Sequence, residues 1–222
     1  DYGGLTLPEI LSSGMVLQRQ KPLVLEGRAN ALEHVSLTFG GSTYTTRTAQ
    51  DGRWSIILPP QEAGGPYRIS LEARSRSYQL DSVYIGEVWL CSGQSNMAMM
   101  LRETTDRDLA DSAYDPELRV FDMKPAHTTD AVSWPISFLD SLNRLEYYLP
   151  TQWRGVTPEI ARSTSAIAYQ FARELRDSLH VPVGIIINAV GGAPTEAWID
   201  RYALEHEFRF LSYGDSSLLM PY

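Results

Sequence analysis

Residues 83–97 read VYIGEVWLCSGQSNM. The first nine are apolar with little alternation, the pattern of a strand covered on both faces. Gly93-Gln94-Ser95 then turns the chain, so the segment reads as a buried strand that delivers a serine to a strand-to-helix turn. Two later runs have the same buried-strand character, 118–123 (LRVFDM) and 183–188 (VGIIIN). Between them Ile167, Ala168, Phe171, Ala172, Leu175 and Leu179 fall at helical spacing. Ser163-Thr164-Ser165 offers N-caps for that helix, and Val181-Pro182 stops it. Gly191-Gly192-Ala193-Pro194-Thr195 turns the chain again, and a further helix is predicted from Thr195 to about Glu207, with Pro194 near its start. Strand, helix, strand, helix implies right-handed βαβ units and a parallel sheet with helices on both faces. Residues 124–158 lack periodicity and read as a long functional or inserted loop.

Upstream the pattern differs. Val35, Leu37 and Phe39 alternate with Ser36 and Thr38, and Gly40-Gly41 follows as a hairpin signal. Tyr44, Thr46 and Thr48 keep the period of two, Asp51-Gly52 marks a turn, and Trp54, Ile56 and Leu58 alternate again. Gly64-Gly65-Pro66 precedes Tyr67, Ile69 and Leu71. Short strands at this spacing predict an antiparallel β-sandwich over residues 1–82, followed by an α/β domain over 83–222. His34 has no clustered partner and reads as a solvated strand-edge residue.

The whole chain has 222 residues, of which 43% are hydrophobic and 21% charged, an ordinary globular composition. Lys plus Arg is 19 and Asp plus Glu 27, a net charge of −8. That balance speaks against nucleic acid as a partner, because such binding rests on neutralising phosphates. Cys91 is the only cysteine, so an in-chain disulfide and a cysteine zinc site are excluded. No apolar run approaches the ~18 residues of a membrane span, so no membrane insertion is expected. Asp1-Tyr2-Gly3-Gly4 shows neither the basic start nor the apolar core of a signal peptide.

In open parallel sheets ligands bind beyond the carboxyl ends of the strands. Gly93-Gln94-Ser95-Asn96-Met97 and Gly191-Gly192-Ala193-Pro194-Thr195-Glu196 both belong there. A serine on such a turn lifts Oγ clear of the sheet, and a glycine turn on a neighbouring strand brings a second N–H close, together an oxyanion hole. On spacing alone the simpler reading is that Ser95 caps a helix. Met97 stands where a Gly-x-Ser-x-Gly elbow has its second glycine, which argues against an ordinary α/β-hydrolase. Asp106, Asp108, Asp111 and Asp115 lack the glycine and terminal glutamate of an EF-hand loop and read as a solvated acidic helical face. No metal site and no nucleotide-cofactor motif is found.

The run GEVWLCSGQSNM, Gly86 to Met97, resembles the signature of the sialate O-acetylesterase family, a branch of the SGNH (GDSL-like) hydrolases. Leu7-Pro8-Glu9 and Gly14-Met15-Val16-Leu17-Gln18-Arg19 resemble the family's opening segment. Ala166 to Leu175, Val181-Pro182-Val183-Gly184 and the block Gly191 to Trp198 are similar to its helix, strand and glycine turn. The resemblance implies an SGNH-like three-layer α/β/α domain, here incomplete. It makes Ser95 the nucleophile and places oxyanion donors at Ser95 and at Gly191 or Gly192. Gln94, Asn96, Glu196 and Trp198 shape the site. The implied substrate is an acetylated carbohydrate, hydrolysed through an acetyl-enzyme without a cofactor. The implied location is secreted or periplasmic.

The family's Asp-x-x-His and its Gln-Gly-Glu-x-Asn block are not recognisable. Asp177-Ser178-Leu179-His180 has the letters but precedes the glycine block, and His180 reads as a helix-end residue. His127 and His206 read as surface or packing residues. The expectation is therefore a serine without an in-chain base. Its partner would be a second polypeptide carrying the missing part, as in one half of a cleaved esterase. The alternative is a non-catalytic carbohydrate-binding scaffold whose Trp134, Tyr147, Tyr148 and Trp153 stack on sugars.

Overall fold

The computed structural model describes residues 3–126 and 146–192, and the backbone of 216–218. The predicted helix after Thr195, together with His127, Trp134, Glu196, Trp198 and His206, lies outside the described residues.

A mixed, strand-rich sheet dominates the chain. Its spine is β7, Ser77–Gly93, 17 residues long. The first half of β7 pairs antiparallel with β6 (Gly64–Ala73), and β3 (His34–Phe39) and β4 (Ser42–Arg47) continue outward from β6. Near the middle β1 (Val16–Gln18) joins parallel, with Val16 opposite Tyr84. The second half pairs parallel with β10 (Val183–Ala189), which pairs parallel with β8 (Asp115–Asp122). β9 (Arg154–Val156) lies antiparallel on β8, and β11 (Ser216–Leu218) antiparallel on Cys91 to Gly93. A separate pair, β2 (Leu23–Arg28) with β5 (Arg53–Leu58), completes the strands among the described residues.

Alternation in sequence becomes alternation in burial. Trp54, Ile56 and Leu58 of β5 are buried while Arg53, Ser55 and Ile57 are exposed. These side chains pack with Val35, Leu37, Ile69, Leu71 and Ile85 of the larger sheet in one cluster, a sandwich of two sheets. Gly40-Gly41 closes the β3–β4 hairpin as expected from sequence. The Asp51-Gly52 turn instead carries the chain from one sheet to the other, because β5 pairs with β2 rather than with β4.

A second cluster lies on one face of the parallel strands. It joins Cys91, Leu118, Val120, Val183, Ile185 and Ile187 to three helices: α1 (Ser95–Ala98), α2 (Pro158–Ser163) and α3 (Ala166–Leu179). α3 begins where the sequence indicates, with Ser165 Oγ accepting the Ala168 N–H. Its buried side chains are Ala166, Ala168, Tyr169 and Ala172, whereas Ile167 and Leu179 are exposed, so the apolar face is rotated from the one predicted. The described helices cover this face alone. Phe121, Ile186 and Trp153 on the opposite face belong to the sandwich cluster, where Ile10 and Leu11 also pack. The predicted boundary at 82/83 falls inside β7, where Ser82 takes a φ of 54° beside a register irregularity.

Glycine is required at the middle of β7 by close approach. A methyl group on Gly86 would overlap the Pro182 carbonyl, which is backbone and cannot rotate away. That carbonyl also accepts the Glu87 N–H at 2.9 Å, at the point where β10 begins. Gly86→Ala is expected to cost about 3 kcal/mol, the upper part of the usual range for overpacking. Urea unfolding of the variant checks this; an unchanged midpoint would mean that the approach of Pro182 is not fixed.

Candidate active site

Two of the sequence segments that resemble the opening and the signature of a known family touch each other. Gln18 Oε1 accepts the Val88 N–H at 3.0 Å, and Arg19 Nε donates to Glu87 Oε1 at 2.6 Å with both side chains mostly covered. Glu87 thus holds β1 against the spine. Cys91 is 2% exposed and burial pushes its thiol up to about 11, so it stays protonated and unreactive near neutral pH.

The register brings three strand ends to one edge. Gly93 lies opposite Ala189, and Cys91, Ile187 and Asp122 form one row across β7, β10 and β8. The Val190 N–H donates to the Gly93 carbonyl at 3.0 Å, so the turn at Gly191-Gly192 leaves the sheet beside Gly93-Gln94-Ser95. Gly192 has a φ of 77°, which a side chain adopts only under strain. At Gly191, by contrast, an added Cβ would meet no described atom within 4 Å. Conformation at Gly192, rather than space at Gly191, is what demands glycine here.

Ser95 is exposed and opens α1. The cap position belongs to Gln94, half-buried, whose side chain makes no capping bond. The hydroxyl of Ser95 has no hydrogen bond among the described residues, so the helix-cap reading does not hold. α1 is tied down from behind: Met97 is buried, with Ser165 Oγ 3.5 Å from its Sδ. The Met99 carbonyl accepts the Ala166 N–H, and the Leu101 N–H donates to Thr164. Exposed Asn96 lines, with Met99, Thr104, Asp106, Ile167 and Gln170, an open groove of about 460 Å³.

Several polar groups at this edge carried no motif. Tyr148 Oη donates to Asn188 Oδ1 at 2.7 Å, and Tyr147 stands edge-on to Tyr148 at 5.0 Å. Burial raises both phenols above the ordinary range. Asp122 ends β8 with its carboxyl raised by burial, partly offset by Lys124 at 3.3 Å and by Arg154. The one available signal was an Asn or Asp closing an apolar strand.

Trp153 does not belong to any sugar-facing surface. It is 5% exposed, and its Nε1 donates to the Ile10 carbonyl at 2.8 Å. The four aspartates do not share a helical face. Asp108 lies in a 3₁₀ turn and Asp111 pairs with Arg162, while Asp115 opens β8 and pairs with Arg176. Among the described residues no group of three His, Cys, Asp or Glu could hold a metal ion.

His180 ends α3 with a φ of 53° and its N–H on the Arg176 carbonyl, a left-handed cap. It precedes Val183, opposite Glu87, whereas Ser95 follows Gly93, opposite Ala189. Six residues at about 3.3 Å separate those levels by roughly 20 Å. His180→Gly is expected to stabilise the protein by up to about 1 kcal/mol, since glycine takes the left-handed cap without penalty, and to leave hydrolysis unchanged. A thermal melt with an acetate-release assay checks both; a large loss of activity would make His180 part of the site.

A family model described as carbohydrate esterase, sialic acid-specific acetylesterase matches residues 85–210, more than half of the chain. A sialate O-acetylesterase of Homo sapiens is 29% identical over 220 residues, covering 91% of this chain and 40% of the human protein. The sialate O-acetylesterase of Rattus norvegicus is 28% identical over 215 residues, covering 91% and 39%. Among solved structures, a carbohydrate acetylesterase from Xanthomonas citri superposes with a TM-score of 0.76 at 32% identity, covering 90% of this chain and 43% of that one. The chain spans about two-fifths of the length of the curated relatives it matches.

Proposed function

The chain belongs to the family of carbohydrate esterases described as sialic acid-specific acetylesterases, and from that premise we propose that it carries the nucleophile of a serine esterase acting on O-acetylated sugars. The observation that supports this most is Ser95: an exposed hydroxyl with no capping role, at the carboxyl edge of a parallel sheet, beside the Gly191-Gly192 turn.

In this reading Ser95 Oγ attacks the acetyl carbonyl carbon while its proton passes to a general base. The oxygen that gains charge is held by the N–H of Ser95 and by an N–H of the glycine turn, donors worth roughly 10²–10³ in rate each. The sugar oxygen leaves with a proton, and water then releases acetate from Ser95. Gln94 and Asn96, which flank Ser95, shape the pocket around the sugar; Glu196 and Trp198, to which the resemblance gives the same role, lie outside the described residues. The base lies outside the described residues. His180 is at the far end of the sheet, and we assign the base and its acid to the part of the longer relatives that this chain does not span. The test uses the full-length gene product: labelling by a fluorophosphonate probe, and acetate release from O-acetylated sialic acid and O-acetylated glucose. Absence of both would refute the reading.

A further inference from the structure

The groove beside α1 is more apolar than the transfer of an acetyl group requires. Met99 and Ile167 line it together, 43% and 44% exposed, and Ala166 lines it with them. Single apolar side chains in solvent are ordinary. Two that share one concavity beside a candidate nucleophile mark a binding surface.

One turn of helix links that surface to Ser95. The Met99 N–H donates to the Ser95 carbonyl at 3.0 Å, so the two residues lie four apart on one face, with Cβ atoms about 5–6 Å apart. The Met99 carbonyl accepts the Ala166 N–H at 2.9 Å, which brings the first turn of α3, and Ile167 with it, alongside. The groove begins at Asn96, next to Ser95 in the chain.

The polar side chains farther along the groove are turned on one another. Thr104 Oγ1 donates to the Leu101 carbonyl at 2.9 Å and accepts the Asp106 N–H at 3.2 Å. Gln170 Nε2 donates to Asp106 Oδ2 at 3.3 Å. A sugar carries a hydroxyl on nearly every carbon and would leave most of them unmatched against Met99, Ala166 and Ile167. An ester at Ser95 has one polar end, the sugar, and one apolar end, the acyl chain. The groove fits the second.

We propose that this groove receives the alkyl part of an acyl group longer than acetyl, so that Ser95 accepts butyryl and hexanoyl esters, with Met99 and Ile167 reading the chain length. The inference rests on the esterase reading of Ser95. The covalent step is unchanged: a bond from Ser95 Oγ to the acyl carbon replaces the bond to the alcohol oxygen, and the Oγ proton leaves on the alcohol by way of the base.

The test uses the full-length protein and p-nitrophenyl acetate, butyrate and hexanoate, which differ in the acyl chain alone. Full burial of a methylene is worth about fourfold, and an open groove about half of that on a logarithmic scale, or roughly twofold. kcat/KM should therefore rise about fourfold from acetate to butyrate and about 15-fold from acetate to hexanoate. In Ile167→Asp the hexanoate-to-acetate ratio should fall below about threefold. The position is exposed and in the first turn of α3, where a carboxylate suits the helix dipole, so the variant should fold. Leu179→Gln, at the exposed far end of the same helix and outside the groove, should keep the ratio. Hexyl acetate, with the alkyl chain on the alcohol, should show no dependence on Ile167. A hexanoate-to-acetate ratio near one, a ratio that survives in Ile167→Asp, or a dependence on Ile167 that follows hexyl acetate instead would overturn the proposal while leaving Ser95 as the nucleophile. If no ester of the series is cleaved, the esterase reading fails and this inference fails with it.

Discussion

Ser95→Ala in the full-length protein should lower acetyl-ester hydrolysis by roughly 10⁴-fold or more, the scale on which nucleophile removal acts in serine hydrolases. The variant deletes one oxygen that no described group binds. The turn keeps its shape, because the cap position is Gln94 and α1 is held through Met97 and the Met99 carbonyl. Stability should therefore move by less than about 0.5 kcal/mol, as for other exposed positions. Loss of fluorophosphonate labelling should accompany the loss of turnover. Labelling that persists, or a rate above about a hundredth of the original, would place the nucleophile elsewhere.

Trp153→Ala should have the opposite profile, a stability loss of about 3–5 kcal/mol. Its indole packs on Phe121 with ring centres 5.4 Å apart and lies against the Gly184 backbone. Its N–H meets the Ile10 carbonyl, so truncation leaves both a cavity and an unpaired buried acceptor. The sequence-based alternative, a sugar-stacking tryptophan, predicts the reverse: little change in unfolding and weaker carbohydrate binding. Urea denaturation separates them, and a cost below about 1 kcal/mol would show that Trp153 is not a core anchor.

The contrast marks how far residue pattern reaches. The strands of the parallel half were readable, because residues 83–91, 118–123 and 183–188 are mostly apolar with little alternation, and all three became neighbouring parallel strands. The N-terminal half of β7 was not, since the change of pattern at 82/83 read as a domain boundary, whereas Ser82 forms an irregularity within one continuous strand. β1 is three residues long, too short to show a period. Ser95 stood out through resemblance, whereas spacing alone favoured a cap. Arg154 and Asp122 lie 32 positions apart in sequence and line one cavity only because β9 folds back on β8, a long-range pairing that no local pattern announces. Tyr148 and Asn188 meet in the same way.

β7 is shared property. Its early residues are bonded to β6 and β1, and its last ones carry the turn to Ser95. Fraying of the N-terminal strands therefore loosens the backbone that aims the serine, although those strands hold none of the proposed chemistry. A deletion series from the N-terminus should inactivate the protein once it reaches Met15, whose carbonyl accepts the Tyr84 N–H, well before any residue of the candidate site is removed. For anyone trimming the gene to a minimal hydrolase, residues 14–19 belong to the working part.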